Sequence, residues 1–230
     1  MKKLALVTAV VAALGVAPAF AKIGVNVGAI SVMPDESSTS LNVVESIAGL
    51  TPGSTGVAVN NNTQLGLTFD YAIDDAWSVQ LIAATPFSHD ITATGALAGL
   101  AIGDTKHLPP TLMFQYNWKF DNGIEPFVGV GLNYTWFFDT QADPQLVSAL
   151  TDLGAITAAD TVDLKLSNSW GYALQAGFNV NLNADWGLHF MVSTMDIDTT
   201  GDVRVNGTTV QSVDVEIDPI VAMAGVRYRF

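Results

Sequence analysis

The chain has 230 residues, of which 49% are hydrophobic and only 13% are charged, and its formal net charge is −13 at pH 7. This acidic excess argues against nucleic-acid binding, which needs a basic surface. Cysteine is absent from the sequence, which excludes a fold held together by disulfides.

The first 21 residues have the pattern of a secretory signal peptide. Lys2 and Lys3 precede an apolar run at positions 4–16, and Ala19-Phe20-Ala21 is a small-x-small cleavage site. We therefore predict a signal peptide at 1–21 and a single folded unit at 22–230. The alternative, a retained membrane anchor, lacks a stop-transfer flank. Beyond the signal, no run of 18 apolar residues predicts a transmembrane helix.

Eight later segments alternate between apolar and polar positions, which is the period of a β-strand with one apolar face. The predicted strands are Ile23–Met33, Asn61–Ile73, Ala76–Phe87, Lys106–Phe120, Glu125–Phe138, Leu166–Asn181, Trp186–Asp198 and Pro219–Phe230. Long loops, at 34–60, 88–105, 139–165 and before the last strand, alternate with short turns at 74–75, 121–123 and 183–185. This alternation is typical of a transmembrane barrel with brief periplasmic turns and larger external loops.

The last strand indicates which face meets lipid. One parity of Pro219–Phe230 is wholly apolar and ends in Tyr228 and Phe230, whereas the other carries Arg227 and Arg229. Such a strand suits a barrel with hydrocarbon outside and a wet lumen inside. The residues beside the short turns and the C-terminus form one predicted interfacial girdle: Trp77, Trp118, Trp186 and Tyr228.

The sequence therefore predicts an all-β fold, an eight-stranded antiparallel transmembrane β-barrel in the cell outer membrane. Its short turns would be periplasmic and its long loops extracellular. The alternative is a soluble, lipocalin-like barrel that buries its apolar side inward. We would then expect more lysine and glutamate on the polar side of the strands.

Five blocks of sequence resemble the OmpW family of outer-membrane proteins. They are NNTQLGLTFDY (61–71), LIAATPFSH (81–89), HLPPTLMFQYNW (107–118), PFVGVGLNYTWFFD (126–139) and MDIDTT (195–200), and the closing YRF fits as well. The resemblance implies an eight-stranded barrel with a narrow channel for small hydrophobic compounds. It also implies release sideways into the bilayer, as in the alkane-uptake members of the family.

The resemblance further implies that bulky apolar side chains constrict the lumen. Ile82 corresponds to the inward residue of the third strand in the family. The aromatic partner expected on the seventh strand falls near Ser193 or Thr194, and neither is aromatic. The constriction is therefore expected from Ile82 with another inward set: Met113, Phe127, Met191 and Met223.

Three prolines predict a thin place in the wall. Pro86 ends the predicted third strand, and Pro109-Pro110 opens the fourth across the same hairpin. Because proline cannot donate a hydrogen bond to a ladder, the two strands should separate there. We predict a lateral opening or a bound detergent at this point. The alternative is that the prolines only end the pairing where the loop begins.

Inward charges, catalytic motifs and metal ligands complete the candidate sites. Asp70, Arg227 and Arg229 could form an ion pair that braces the lumen. No GxSxG or HExxH motif occurs, and Ser88-His89 is the only hint of a lipid-modifying enzyme. The stretch Asp196-x-Asp198-x-Thr200-Gly201 partly mimics a calcium loop, but Gly207 replaces the final glutamate, which favours solvated turn residues. We predict no metal and no cofactor.

The external loops are apolar for surface segments, especially at 91–102. Asp143-Pro144 predicts a helix start, with Leu146, Leu150 and Leu153 on one stripe. These loops could pack on one another or form a hydrophobic funnel.

The preferred function is passive uptake of small hydrophobic molecules by a monomer among outer-membrane lipids and lipopolysaccharide. The alternatives are a structural or surface-interaction barrel and, less favoured, the lipid-modifying enzyme.

Overall fold

A computed structural model describes residues 23–230, so the predicted signal peptide lies outside the described residues. This part of the chain forms fifteen strands and two helices. In chain order they are β1 (Ile23–Met33), β2 (Ser37–Ser38), α1 (Asn42–Ala48), β3 (Thr55–Val59), β4 (Asn62–Ala72), β5 (Trp77–Ala84), β6 (Phe87–Gly95), β7 (Ala101–Leu108), β8 (Thr111–Asn117), β9 (Ile124–Ala142), α2 (Pro144–Asp152), β10 (Val162–Leu166), β11 (Ser169–Asn181), β12 (Trp186–Met195), β13 (Asp198–Val205), β14 (Thr208–Glu216) and β15 (Ile220–Arg229).

Eight of these strands close into the predicted barrel. Their order around the wall is β11-β12-β15-β1-β4-β5-β8-β9, and β9 pairs back with β11. All eight pairings are antiparallel. Closure pairs the edge strands of the sheet with each other, which a sheet surrounded by lipid requires because hydrocarbon offers no hydrogen-bond partners.

The predicted strand parity is confirmed by burial. On β9, Leu132 faces outward and is 64% exposed, whereas its neighbour Asn133 is fully buried in the interior. On β15, Arg227 and Arg229 share the inward parity with the buried Met223. The girdle residues at the short-turn end are exposed or half-buried, and the rings of Trp186 and Tyr228 lie 4.8 Å apart.

Four predicted strands are too long. The sixth and seventh are interrupted at 167–168 and 196–197, and prolines divide the third and fourth. The predicted third strand ends at Ala84 and the chain resumes as β6 at Phe87. The predicted fourth strand is split between Leu108, where β7 ends, and Thr111, where β8 begins. The missing N–H groups of Pro86, Pro109 and Pro110 interrupt the hydrogen-bond ladder at these places.

The long connections contain strands and helices, which corrects their prediction as loops. The wall continues beyond the barrel, where β7 pairs with β9, β6 with β7, and β3 with β6. A second sheet consists of β10, β13, β14 and β2. The two sheets bury apolar side chains between them: Ile91, Ile102, Val203, Val213, Val215 and Ile217. We call this part, beyond the long-loop end of the barrel, the outer extension.

The predicted helix after Asp143 is confirmed as α2. The Asp143 carboxylate accepts a 2.7 Å hydrogen bond from the backbone N–H of Gln145, and Pro144 occupies the first turn. Leu146 and Leu150 are buried, whereas Leu153 is exposed. Among the described residues, no helix has both the length and the apolar character needed to cross a membrane.

A buried ion-pair network braces the barrel at its short-turn end. Arg227 Nη2 lies 3.6 Å from Asp70 Oδ2, and Arg227 Nη1 lies 3.6 Å from Glu125 Oε2. Arg229 Nη1 lies 3.5 Å from Glu125 Oε1. The Arg227 and Asp70 side chains are only 14% and 7% exposed, so each charge depends on its partner for compensation.

This network predicts a large penalty for removing Asp70. Asp70→Ala should lower the free energy of unfolding by about 3–5 kcal/mol, because it leaves the Arg227 guanidinium buried and short of a partner. The matched control is Asp75→Ala, which removes the exposed ion pair between Asp75 and Lys119 and should cost about 0–1 kcal/mol. Urea unfolding of both variants in lipid vesicles, followed by tryptophan fluorescence, measures the difference. Equal, small losses would contradict a bracing role for the network.

Candidate functional site

The lumen is filled by apolar side chains from five different strands. Ile82, Met113, Phe127, Met191 and Met223 are all no more than 3% exposed and belong to one apolar cluster. These are the residues proposed from the sequence as the constriction. On β12, the inward Ser193 is buried and supplies no aromatic ring.

Glycines make room for this filling. A Cβ atom at Gly131 would collide with the Met113 sulfur, and one at Gly177 would collide with the Phe127 ring. The large inward side chains therefore occupy space that the neighbouring strands leave empty. Because an eight-stranded barrel has an interior only just wide enough for side chains, this packing leaves no wide pore at this level.

A hydrogen-bonded set of amides crosses the lumen beside the constriction. Gln80 and Gln115 each lie one inward position nearer the short turns than Ile82 and Met113. The Gln175 amide donates to Gln80 Oε1 at 2.8 Å, and the Gln115 amide donates to Gln175 Oε1 at 2.7 Å. Gln80 also donates to Asp70 Oδ1 at 2.7 Å, which joins this layer to the charged one.

On the other side of the constriction, the outer extension encloses a cavity of about 70 Å³. We call it the inner cavity. Its walls come from both external sheets and are mostly apolar, with Ile91, Phe137 and Val215 among them. The polar residues of its lining are His89, His107, Thr105, Lys165, Thr199 and Asp202.

His89 and His107 are the site residues whose proximity sequence reasoning missed. The register pairs Phe87 with His107 and His89 with Thr105, so both imidazoles lie on the inner face of one hairpin. Their ring centroids are 4.9 Å apart, and each ring is about 2% exposed. Burial lowers the pKa of His107 to about 3 and lowers the pKa of His89, so both are neutral at pH 7. Recognising positions 88–105 as a hairpin would have placed them together.

A second apolar cavity, of about 310 Å³, lies farther out between the two helices. We call it the outer pocket. Leu41, Ile102 and Val203 line both cavities, so the outer pocket and the inner cavity are neighbours.

The first external loop is held in place by the buried Glu45, whose carboxylate accepts hydrogen bonds from the Thr55 hydroxyl at 2.7 Å and the Gly53 amide at 2.8 Å.

The wall has a break beside the inner cavity. Pairing between β5 and β8 ends at Ile82 and Thr111, and pairing between β6 and β7 begins at Phe87 and His107. A space of about 280 Å³ lies at this break. It is lined by Ala83, Ala84, Leu108, Pro109, Pro110, Tyr134 and Trp136. We call it the wall gap.

The wall gap lies on the lipid-facing side of the wall. Ala83 shares the outward parity of the exposed Leu81, and Tyr134 and Trp136 share that of the exposed Leu132. None of the described residues lines both the gap and the inner cavity. On its far side the wall is continuous, since the Tyr134 N–H donates to Pro110 O at 3.1 Å and Trp136 pairs with Leu108. Pro86, the third proline of the prediction, is exposed and does not line the gap.

Ser88 and His89 do not come together as a catalytic pair, and the Asp196 stretch does not form a calcium loop. Ser88 is exposed while His89 is buried, so the two side chains leave β6 on opposite faces. The Asp196 stretch that resembles a calcium loop continues into strand β13, which gives it no loop geometry. Carboxylate oxygens of Asp196, Asp198 and Asp218 do lie within 4.8 Å of one another at the rim of the barrel.

Comparison with known proteins agrees with this architecture. The model of the OmpW family matches residues 21–230. Outer membrane protein W of Vibrio cholerae serotype O1 is 42% identical over 229 residues, which cover 96% of each protein. The dibenzothiophene metabolism operon protein PahQ of Pseudomonas aeruginosa is 27% identical over 78% of this chain and 76% of its own length.

Solved structures show the same fold. The crystal structure of OprG from Pseudomonas aeruginosa has a TM-score of 0.77 and 35% identity, and the match covers 91% of this chain and 95% of OprG. The solid-state NMR structure of AlkL in lipid bilayers has a TM-score of 0.62 and 20% identity, over 91% of this chain and 90% of AlkL. The chain therefore belongs to the OmpW family and is an eight-stranded barrel of the outer membrane.

Proposed function

We propose that this protein takes up small hydrophobic molecules passively across the outer membrane. A guest enters the outer pocket, reaches the inner cavity and leaves sideways through the wall gap into the bilayer. The observation that carries the proposal is the series of apolar spaces beside a break in the wall, next to a lumen filled with side chains.

Residues 1–21 are proposed to be removed as the signal peptide.

The filled lumen favours sideways release over passage through the barrel. A guest moving straight on would have to displace the five constriction side chains together with the amides and the charged layer. Apolar guests gain nothing from the polar layers, and opening those layers would leave buried amides and charges without partners. A guest at the wall gap breaks no ladder hydrogen bond, because pairing is already interrupted between residues 83–86 and 108–110.

The apolar linings indicate the kind of guest. The outer pocket is lined by apolar side chains, among them Leu97, Leu100, Leu146 and Ile156. Gln211 contributes the one polar side chain of this lining. Concave sites of this kind bind apolar molecules, and the few polar groups orient them. The name of the relative PahQ connects that protein with the metabolism of dibenzothiophene, an apolar aromatic compound.

The alternative functions have weaker support in the structure. A structural or surface-interaction barrel would need the closed wall but would not need neighbouring apolar cavities beside a gap. A lipid-modifying enzyme would need Ser88 and His89 on one face, and they lie on opposite faces of β6. We propose that the barrel works as a monomer surrounded by outer-membrane lipids and lipopolysaccharide, since it satisfies its backbone hydrogen bonds by itself.

Uptake by cells tests the proposal. Cells that express the protein should take up naphthalene, supplied at low concentration, several-fold faster than cells without it, because the lipopolysaccharide leaflet slows apolar molecules. The measurement is the initial rate with radiolabelled naphthalene, with equal amounts of folded barrel verified on gels. Equal rates in both strains would favour the structural or surface-interaction alternative.

Filling the wall gap should block release. Ala83→Trp places an indole in the space between Ala83 and Pro110 and is expected to reduce the uptake rate to near that of cells without the protein. The matched control is Ala222→Trp, which also changes a half-buried alanine on the lipid side but lies on β15, away from the gap. An unchanged rate in Ala83→Trp, or an equal loss in both variants, would contradict sideways release at this place.

A further inference from the structure

We propose that Phe87 is the gate residue of the sideways route. Its ring closes the passage between the inner cavity and the wall gap, so its size sets how fast guests leave and how wide they can be. The inference rests on the proposed function, since it assigns a gate to the same route. It is carried by the position of Phe87 between two spaces that share no lining residue in the described part of the chain.

The break in the wall is bounded by two pairs of residues. Pairing between β5 and β8 ends at Ile82 and Thr111, and pairing between β6 and β7 begins at Phe87 and His107. At about 3.3 Å per residue, the stretch between these pairs is roughly 13–17 Å long. All four side chains have the inward parity and are no more than 2% exposed. They therefore surround the inner mouth of the break.

Phe87 is the first inward residue after the break. The next two inward residues of β6, His89 and Ile91, line the inner cavity, whereas Phe87 does not. The Phe87 ring lies 5.4 Å from the ring of His107, which lines the cavity. Leu108, the residue after His107, lines the wall gap. The Phe87 ring therefore lies at the boundary between the two spaces.

Hydrogen bonds hold the opposite side of the break in place. The Pro109 carbonyl oxygen accepts from the Thr111 hydroxyl at 3.0 Å. The Asn133 amide donates to the Thr111 oxygen at 2.9 Å, and the Asn133 oxygen accepts from the Thr135 hydroxyl at 2.8 Å. Moving this side would leave buried polar groups without partners, which is unfavourable.

The Phe87 side of the break has fewer constraints. Residues 85–86 precede Phe87 without pairing to β7 or β8. Strand β6 pairs with β3 only from Ile91 onward, so among the described strands Phe87 has a ladder partner on one edge alone. A phenyl ring has no polar atom, so its rotation breaks no hydrogen bond. Phe87 is therefore the part of this boundary that moves most easily.

The volumes of the three spaces indicate that the ring must move for a guest to pass. The outer pocket and the wall gap have volumes of about 310 Å³ and 280 Å³, whereas the inner cavity has only about 70 Å³. A guest that fits the two larger spaces needs additional room in the inner cavity. Rotation of Phe87 provides that room and opens the break at the same time.

Variants at Phe87 test the gate through the rate and the size selectivity of uptake. Cells that express each variant are supplied with radiolabelled naphthalene or with the wider pyrene, and initial rates are divided by the amount of folded barrel. Phe87→Ala should raise both rates several-fold, with the larger increase for pyrene. Phe87→Trp should lower both rates, with the larger decrease for pyrene.

The matched control is Ile197→Ala. It also truncates a side chain that is 1% exposed, but Ile197 lines neither cavity nor the wall gap. The ratio of the pyrene rate to the naphthalene rate should stay at the wild-type value, because a loss of stability alone does not change which guest is selected. A wild-type ratio in both Phe87 variants, or the same change of ratio in Ile197→Ala, overturns the inference.

Fluorine NMR on the wild-type sequence keeps the test independent of how the variants fold. The protein is labelled with fluorophenylalanine and placed in lipid nanodiscs, and naphthalene is added. The Phe87 signal should shift or broaden, while that of Phe127, in the filled lumen, stays unchanged. If cells with the protein take up naphthalene faster but the Phe87 signal does not respond, this inference alone fails. If uptake is no faster than in cells without the protein, the proposed function fails with it.

Discussion

The constraint on which the structure depends is that every backbone N–H and C=O group in hydrocarbon needs a partner within the protein. The sheet meets it by closing β9 onto β11, and closure assigns each side chain to lipid or to lumen by its parity. Apolar residues such as Leu65 and Val130 then face outward, while Asn26, Gln80 and Arg227 must be satisfied inside. The cross-lumen amides and the ion pairs follow from that assignment.

The same constraint explains why the prolines matter. A chain that loses its donors at Pro86, Pro109 and Pro110 cannot continue the ladder between β5 and β8, so the wall separates there. Beyond the interruption the chain pairs again as β6 and β7, which belong to the outer extension. The wall gap is thus a local interruption of strand pairing. The fold tolerates it because pairing resumes in the outer extension.

Much of the barrel could be predicted from the sequence because period-two patterns and turn signals are local. The parity of Pro219–Phe230, the short turns and the start of α2 at Asp143 all required only neighbouring residues. The folded loops could not be predicted in this way, because β6 and β7 are rich in residues that also occur in loops. These two strands form by pairing with each other and, for β7, with β9. The imidazole pair depends on that hairpin register, so the inner cavity was missed with it.

The central claim, that apolar guests use the outer pocket, the inner cavity and the wall gap and do not pass through the barrel, can be tested by one measurement. A naphthalene that carries a nitroxide radical is added to the isotope-labelled protein in lipid nanodiscs. The paramagnetic relaxation enhancement of each backbone amide is then measured by NMR. The account predicts strong enhancement at Ile102, Ala84 and Leu108 and none at Glu125 or Arg227. Strong enhancement at Glu125 and Arg227, at the short-turn mouth, would contradict it.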